Sequence, residues 1–152
     1  MKNLKKLLGL AFLAIAFASC AGNDDNGSSN DLIIGQWKQI SETEDGTPQT
    51  LTSCDLTEVT EFFADGNFLS EDYDLVDGNC VLDDPNEPGI TITSKWTKII
   101  NNSYNVKFYV NGNEAPLTLN FTTVFSDGNN KVTTTSTQED GTVVVAELVR
   151  VP

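Results

Sequence analysis

Ser103-Tyr104-Asn105-Val106-Lys107-Phe108-Tyr109-Val110-Asn111-Gly112 is followed, four residues on, by Pro116-Leu117-Thr118-Leu119-Asn120-Phe121-Thr122-Thr123-Val124-Phe125. In the first segment Tyr104, Val106, Phe108 and Val110 fall on one face, and Asn105, Lys107 and Tyr109 on the other. In the second, Leu117, Leu119, Phe121 and Phe125 share a face. A period of two is the signature of a strand with one side against a core. The Asn111-Gly112 pair between them supplies the positive φ that a tight hairpin turn requires. The two segments therefore read as an antiparallel hairpin.

The same grammar extends in both directions. Turn pairs recur at Asp45-Gly46, Asp65-Gly66, Asp77-Gly78, Asp127-Gly128 and Asp140-Gly141. Between them run segments rich in Val, Ile, Thr, Phe and Tyr, the residues that suit a pleated, half-buried surface. Ile90, Ile92 and Trp96 share a face ahead of the opening hairpin. Thr142 to Val151 is apolar on both faces around Val143, Val144 and Val145. No ten-residue stretch has a helical period, and residues 50–56 suit at most one short helical turn. About eight strands are predicted, near 33–41, 57–64, 67–74, 90–100, 103–111, 116–126, 130–138 and 142–151. Hairpin-joined neighbours make a meander, and a meander of that size can close into a barrel and remove its edges. Periodicity alone leaves a barrel and a sandwich both open.

At the other end of the chain, Lys2, Lys5 and Lys6 precede an apolar run from Leu7 to Ser19, which ends at Cys20. A charged start, a short apolar middle and small residues at the end mark a secretory signal peptide. The run is shorter than the roughly 20 residues that a membrane-spanning helix needs. Ala18-Ser19-Cys20 resembles the lipobox of bacterial lipoproteins, with Phe17 where a branched aliphatic is usual. That resemblance implies cleavage after residue 19 and acylation of Cys20. Residues 20–31, rich in Gly, Ser, Asn and Asp, read as a flexible acidic tether ahead of a domain over 32–152. Loss of Lys2, Lys5 and Lys6 leaves six basic against 22 acidic residues, a net charge of −16. Such a surface is repelled by nucleic acid, whose binding depends on neutralising phosphates.

The chain contains no histidine. Serine and cysteine nucleophiles activated by histidine are excluded, as are His-based zinc and iron sites. No feature singles out any pair among the 22 acids as a catalytic couple, so no catalytic residue is assigned and no enzymatic activity or cofactor is expected. Cys54 and Cys80 are the cysteines of the body. In an oxidising exported compartment a disulfide is their natural reading, with two free thiols or half a metal site as the alternatives. The acidic run Glu71, Asp72, Asp74, Asp77, Asp83, Asp84, Glu87 superficially suggests a calcium loop. Its third acid and its glycine each come one position late and no Glu stands twelfth, so a solvated loop is the better reading and no metal site is expected.

The first strand adds a family resemblance. Ile33-Ile34-Gly35-Gln36-Trp37-Lys38 resembles the Gly-x-Trp opening of lipocalins, and more closely the lipocalin-like domain of exported lipoproteins of the Bacteroidota. Phe62-Phe63-Ala64-Asp65-Gly66-Asn67-Phe68 is similar to that family's second hairpin, with Cys54 before it, Cys80 after it, Trp96 in the next strand and Arg150 near the end. The match covers residues 32–151, and residues 74–88 depart from the pattern. It implies an eight-stranded antiparallel up-and-down barrel in a monomeric domain, held by its lipid at the outer membrane. Asp24 and Asp25 resemble the acidic export signal of surface lipoproteins, which favours the cell-surface face over the periplasmic one. The resemblance also implies that Trp37 plugs the closed end of the barrel under the Arg150 guanidinium. Phe62, Phe68, Trp96, Phe108 and Leu119 are the expected interior lining. Two functions stay open: a binding protein that holds a small apolar or amphipathic molecule in the barrel, and a non-enzymatic surface or assembly component with a solid barrel whose loops contact protein or glycan.

Overall fold

The computed structural model describes residues 30–83 and 89–152. The predicted signal peptide, Cys20 and the tether up to residue 29 lie outside the described residues, as do Asp84 and Glu87.

The strands follow the turn signals. β1 (Gly35–Glu44) and the two-residue β2 (Thr47–Pro48) flank Asp45-Gly46. A short 3-10 turn (Asp55–Thr57) leads into β3 (Thr60–Phe62) and β4 (Asn67–Ser70). Then come β5 (Tyr73–Val76), β6 (Asn79–Leu82), β7 (Ile92–Ile100), β8 (Ser103–Val110), β9 (Asn113–Ser126), β10 (Lys131–Thr137) and β11 (Val143–Arg150). At Asn111-Gly112 both residues have positive φ, 51° and 79°, the backbone of a twisted two-residue hairpin.

Eight of these strands form a ring in the order β1-β3-β4-β7-β8-β9-β10-β11, which closes by antiparallel pairing of β11 with β1. Successive barrel strands are neighbours throughout, so the fold is the expected all-β, eight-stranded up-and-down antiparallel barrel. Closure satisfies the main-chain groups that an open sheet leaves at its edges. The difference from the sequence reading lies in residues 73–82. There β5 and β6 pair as a separate two-stranded hairpin outside the ring, where a strand through residue 74 followed by a solvated loop was expected; the barrel strand instead ends at Ser70. The hairpin strands are four residues each and carry acids beside aliphatics, too short and mixed for alternation to declare them.

The predicted disulfide is present: Cys54 and Cys80 are bonded, with Cα atoms 5.3 Å apart. Cys54 is fully buried beside the 3-10 turn, and Cys80 lies on β6. The bridge therefore ties the outlying hairpin to the segment that enters β3. Two hydrogen bonds help it: Tyr73 N donates to Glu58 Oε1 at 3.1 Å, and Glu71 N donates to Val59 O at 3.0 Å. Burial, with the nearby charges of Asp72 and Asp55, pushes the Glu58 carboxyl above its usual range.

The core is aromatic and lopsided. Phe62 is its hub, with ring centroids 5.0 Å from Phe68, 5.9 Å from Trp96 and 6.0 Å from Phe121. Tyr104 stacks on Phe121 at 5.6 Å, and Val106 is buried beside them. Trp96 from β7 and Tyr104 and Val106 from β8 fill their side of the barrel and pack against Phe62 and Phe121. Such contacts contribute about 0.5–1.5 kcal/mol per pair beyond burial. The Trp96 indole N–H donates to Phe63 O at 2.8 Å, so the buried ring leaves no polar atom stranded.

The segment before β1 belongs to the fold. Asp31, expected as the last residue of the tether, has a side chain only 2% exposed. Its carboxylate accepts from the Tyr104 hydroxyl at 2.7 Å, from Lys98 Nζ at 2.8 Å and from Ile33 N at 3.1 Å. Burial is the largest influence on this carboxyl and raises its pKa. The bonds from Lys98, Tyr104 and Ile33 together outweigh burial and hold it below the usual value. Burial, then the bond to Asp31, pushes the Tyr104 phenol well above its own. A carboxyl with a lowered folded pKa stabilises above its unfolded value of about 3.9, and that contribution disappears as pH falls through the folded pKa. Asp31→Ala is expected to cost about 1–3 kcal/mol at neutral pH by leaving the Tyr104 hydroxyl without its acceptor. The gap in melting temperature between wild type and variant should narrow below about pH 4. A constant gap from pH 7 to pH 3 would count against this network.

Candidate functional site

Two residues close one end of the barrel. Trp37, on β1, is fully buried and its indole N–H donates to Ile33 O at 2.7 Å. Arg150, opposite it on β11, lies with Cζ 4.2 Å from the centre of the indole. The guanidinium donates to Ile34 O and Leu32 O at 2.8 Å each, and its Nε to Asn129 O at 3.3 Å. Gly35 makes room for it. Gly35 has φ of +125°, and a Cβ there would stand 2.5 Å from Arg150 Nη1. The Gly-x-Trp spacing thus has a steric reason: the glycine admits the arginine that covers the tryptophan two residues on.

Above Trp37 lies a cavity of about 240 Å³. Trp37, Ile33, Phe62, Phe121, Val132 and Leu148 form its apolar base. Its walls come from β1, β3, β4, β9, β10 and β11, and among the described residues that line it none comes from β7 or β8. Side-chain volume accounts for the asymmetry. β7 and β8 project Trp96, Tyr104 and Val106 inward and fill their side, whereas β10 and β11 project Val132, Thr134, Ser136, Val144 and Ala146 and leave theirs open.

Of the expected lining residues, Phe62, Phe68 and Leu119 do line the cavity. Leu119 reaches it although 41% exposed. Trp96 and Phe108 do not. Trp96 is buried in the filled half, and Phe108, partly buried, packs against the same core.

The polar lining was not anticipated. Thr60, Ser70, Thr134 and Ser136 place hydroxyls around the wider part of the cavity, and Gln39 and Glu42 join them from β1. Glu42 arrives there through a β-bulge. On β1, Trp37 pairs with Arg150 and Gln39 with Leu148, but the next pair is Ser41 with Glu147. The extra residue, Ile40, switches the inward phase from odd to even positions. Glu42 then sits opposite Ala146, on the cavity side. Uninterrupted alternation from Trp37 would have turned Ser41 inward and Glu42 out. The available signal was the lone apolar Ile40, out of phase with Trp37.

Gln39 Nε2 donates to Glu42 Oε2 at 2.9 Å. Among the described residues that line the cavity there is no lysine or arginine. Nor, among the described residues, is any group of three or more His, Cys, Asp or Glu side chains placed to share a metal ion. The arrangement offers an apolar base, a ring of hydroxyls and one carboxylate held by one amide: the composition of a binding site. Compared with models of protein families and with curated protein sequences, the chain matches none.

Proposed function

We propose that this protein is a lipid-anchored, lipocalin-like, non-enzymatic binding protein of the outer membrane that holds a small amphipathic molecule in its barrel. The observation that carries the reading is the cavity, walled by β1, β3, β4, β9, β10 and β11 and lined at its base by Trp37, which Arg150 covers. Its volume sets the scale of the ligand. An apolar cavity near 150 Å³ takes a benzene-sized molecule, so about 240 Å³ suits on the order of ten non-hydrogen atoms. That is smaller than a drug-sized site and too small for a long acyl chain. The lack of histidine supports a role without catalysis.

A saturating small aromatic alcohol, 2-phenylethanol, is expected to raise the melting temperature of the wild-type protein by linkage to the folded state. Ala146→Phe, which fills the cavity from β11, is expected to abolish the shift. A wild-type melting curve insensitive to the alcohol at millimolar concentration would overturn the cavity reading.

The anchor rests on the Leu7–Ser19 run and Cys20. Stable anchoring needs more than one acyl chain, so the intact mass of membrane-extracted protein should begin at Cys20 and carry several. An unmodified amino terminus would refute it. The second reading, contact with protein or glycan through loops, is supported by the outlying hairpin. There Leu75, Val76, Val81 and Leu82 are all about half exposed.

A further inference from the structure

We infer that the cavity selects a cationic ligand: a primary or secondary amine on a small apolar body, its ammonium group held by Glu42 and its apolar part seated on Trp37. The inference rests on the binding reading above and names the class of ligand.

Three observations on the cavity carry it. First, the lining contains a carboxylate. Glu42 is placed there by the Ile40 bulge. Second, the carboxylate is positioned and keeps acceptor capacity for a ligand. Gln39 donates to Oε2, and no lysine or arginine among the described lining residues neutralises the charge. No buried side-chain oxygen or nitrogen among the described residues is left unpaired, so the remaining acceptor positions of Glu42 face solvent. Ligand N–H groups can take the place of that solvent, whereas a ligand carboxylate would meet like charge. Third, the site is graded along the barrel axis. Trp37 pairs with Arg150 and Glu42 with Ala146, four residues apart on β11. At about 3.4 Å per residue the two positions are about 14 Å apart along the strand, roughly 10 Å along the axis of a barrel whose strands tilt by about 40°. Phe62, Phe121, Val132 and Leu148 line the cavity with Trp37, so an apolar body below and a charged head above match the walls.

The surrounding field acts in the same direction. The formal net charge is −13 over the chain. An acidic surface raises the local concentration of cations and repels anions before any contact is made. The hydroxyls of Thr134 and Ser136 accept as well as donate, and can share the ammonium protons with Glu42.

The experiment compares three molecules of nearly equal size, 2-phenylethylamine, 2-phenylethanol and phenylacetate, by calorimetric titration into the full folded protein at neutral pH. The amine is expected to bind at least ~10-fold more tightly than the alcohol, as a charge-assisted hydrogen bond does over a neutral one, and phenylacetate to bind weakest. In Glu42→Gln the amine is expected to lose that advantage. Equal binding of all three molecules would overturn the charge selection while leaving the cavity reading intact. Binding of none would overturn both. An amine preference that survives unchanged in Glu42→Gln would remove Glu42 from the site.

Discussion

Arg150→Ala is expected to lower the melting temperature by on the order of 10 °C. The guanidinium lies over the Trp37 indole, an interaction of about 0.5–2 kcal/mol depending on desolvation. It also serves three main-chain carbonyls, and of these Ile34 O is partly buried where alanine leaves it without a donor. An unsatisfied buried acceptor costs about 1–3 kcal/mol. Leu32 O and Asn129 O are exposed, and water replaces their donor at little cost. The total is about 3 kcal/mol, and in a domain of this size each kcal/mol moves the transition by roughly 3–5 °C. Arg150→Lys should recover only part of the loss. A lysine keeps a charge near the indole, but its single ammonium cannot reproduce the planar fork that reaches Ile34 O and Leu32 O together. A melting curve within about 2 °C of wild type for the alanine variant would mean that the plug is ornamental.

The second large effect is expected from the disulfide. Replacing Cys54 and Cys80 by serine should cost roughly 3–4 kcal/mol, the chain-entropy value for a loop of about 27 residues. The cost should be unevenly distributed. β1 and β7 to β11 are held by long ladders and do not depend on the bridge. Among the described residues β5 and β6 pair only with each other. Amide hydrogen exchange should therefore accelerate first in residues 73–82, with the ladders of β8 to β11 still protected below the global transition. Reduced protein whose hairpin amides exchange as slowly as the oxidised form would show that the hydrogen bonds at Glu58 and Val59 hold the hairpin unaided.

Much of the scaffold was legible because its signals are local. The turn pair Asn111-Gly112 and the alternation from Tyr104 to Val110 each lie within ten residues. Neither depends on the rest of the molecule. All eight barrel strands overlap their expected positions; the Trp37–Arg150 pairing was implied by the family resemblance, and the Cys54–Cys80 bridge by the exported setting read from the N-terminus. The candidate site was far less legible. Phe62, Phe68 and Leu119 were placed in the lining because they are apolar and inward-facing. Trp96 and Phe108 satisfy the same description and lie elsewhere, because facing inward does not say whether the space ahead is already occupied. Asp31 was assigned to the tether on composition, and its three hydrogen-bond donors come from Ile33, Lys98 and Tyr104, two of them far along the chain.

What the sequence by itself determined, then, is the eight barrel strands and their meander order, with the pair that closes one end implied by the family resemblance. Period-two patterning, turn chemistry and a glycine two residues before a tryptophan are each written in neighbouring positions. Only the tertiary structure decided that the barrel is hollow on one side, and that a carboxylate stands in the hollow. Cavity volume depends on what Trp96 and Tyr104 from one wall leave for Thr134, Ser136 and Ala146 on the other, a relation between strands distant in the chain. The inward turn of Glu42 depends on one unpaired residue, Ile40, which becomes a bulge only when β1 is aligned against β11 more than 100 residues later.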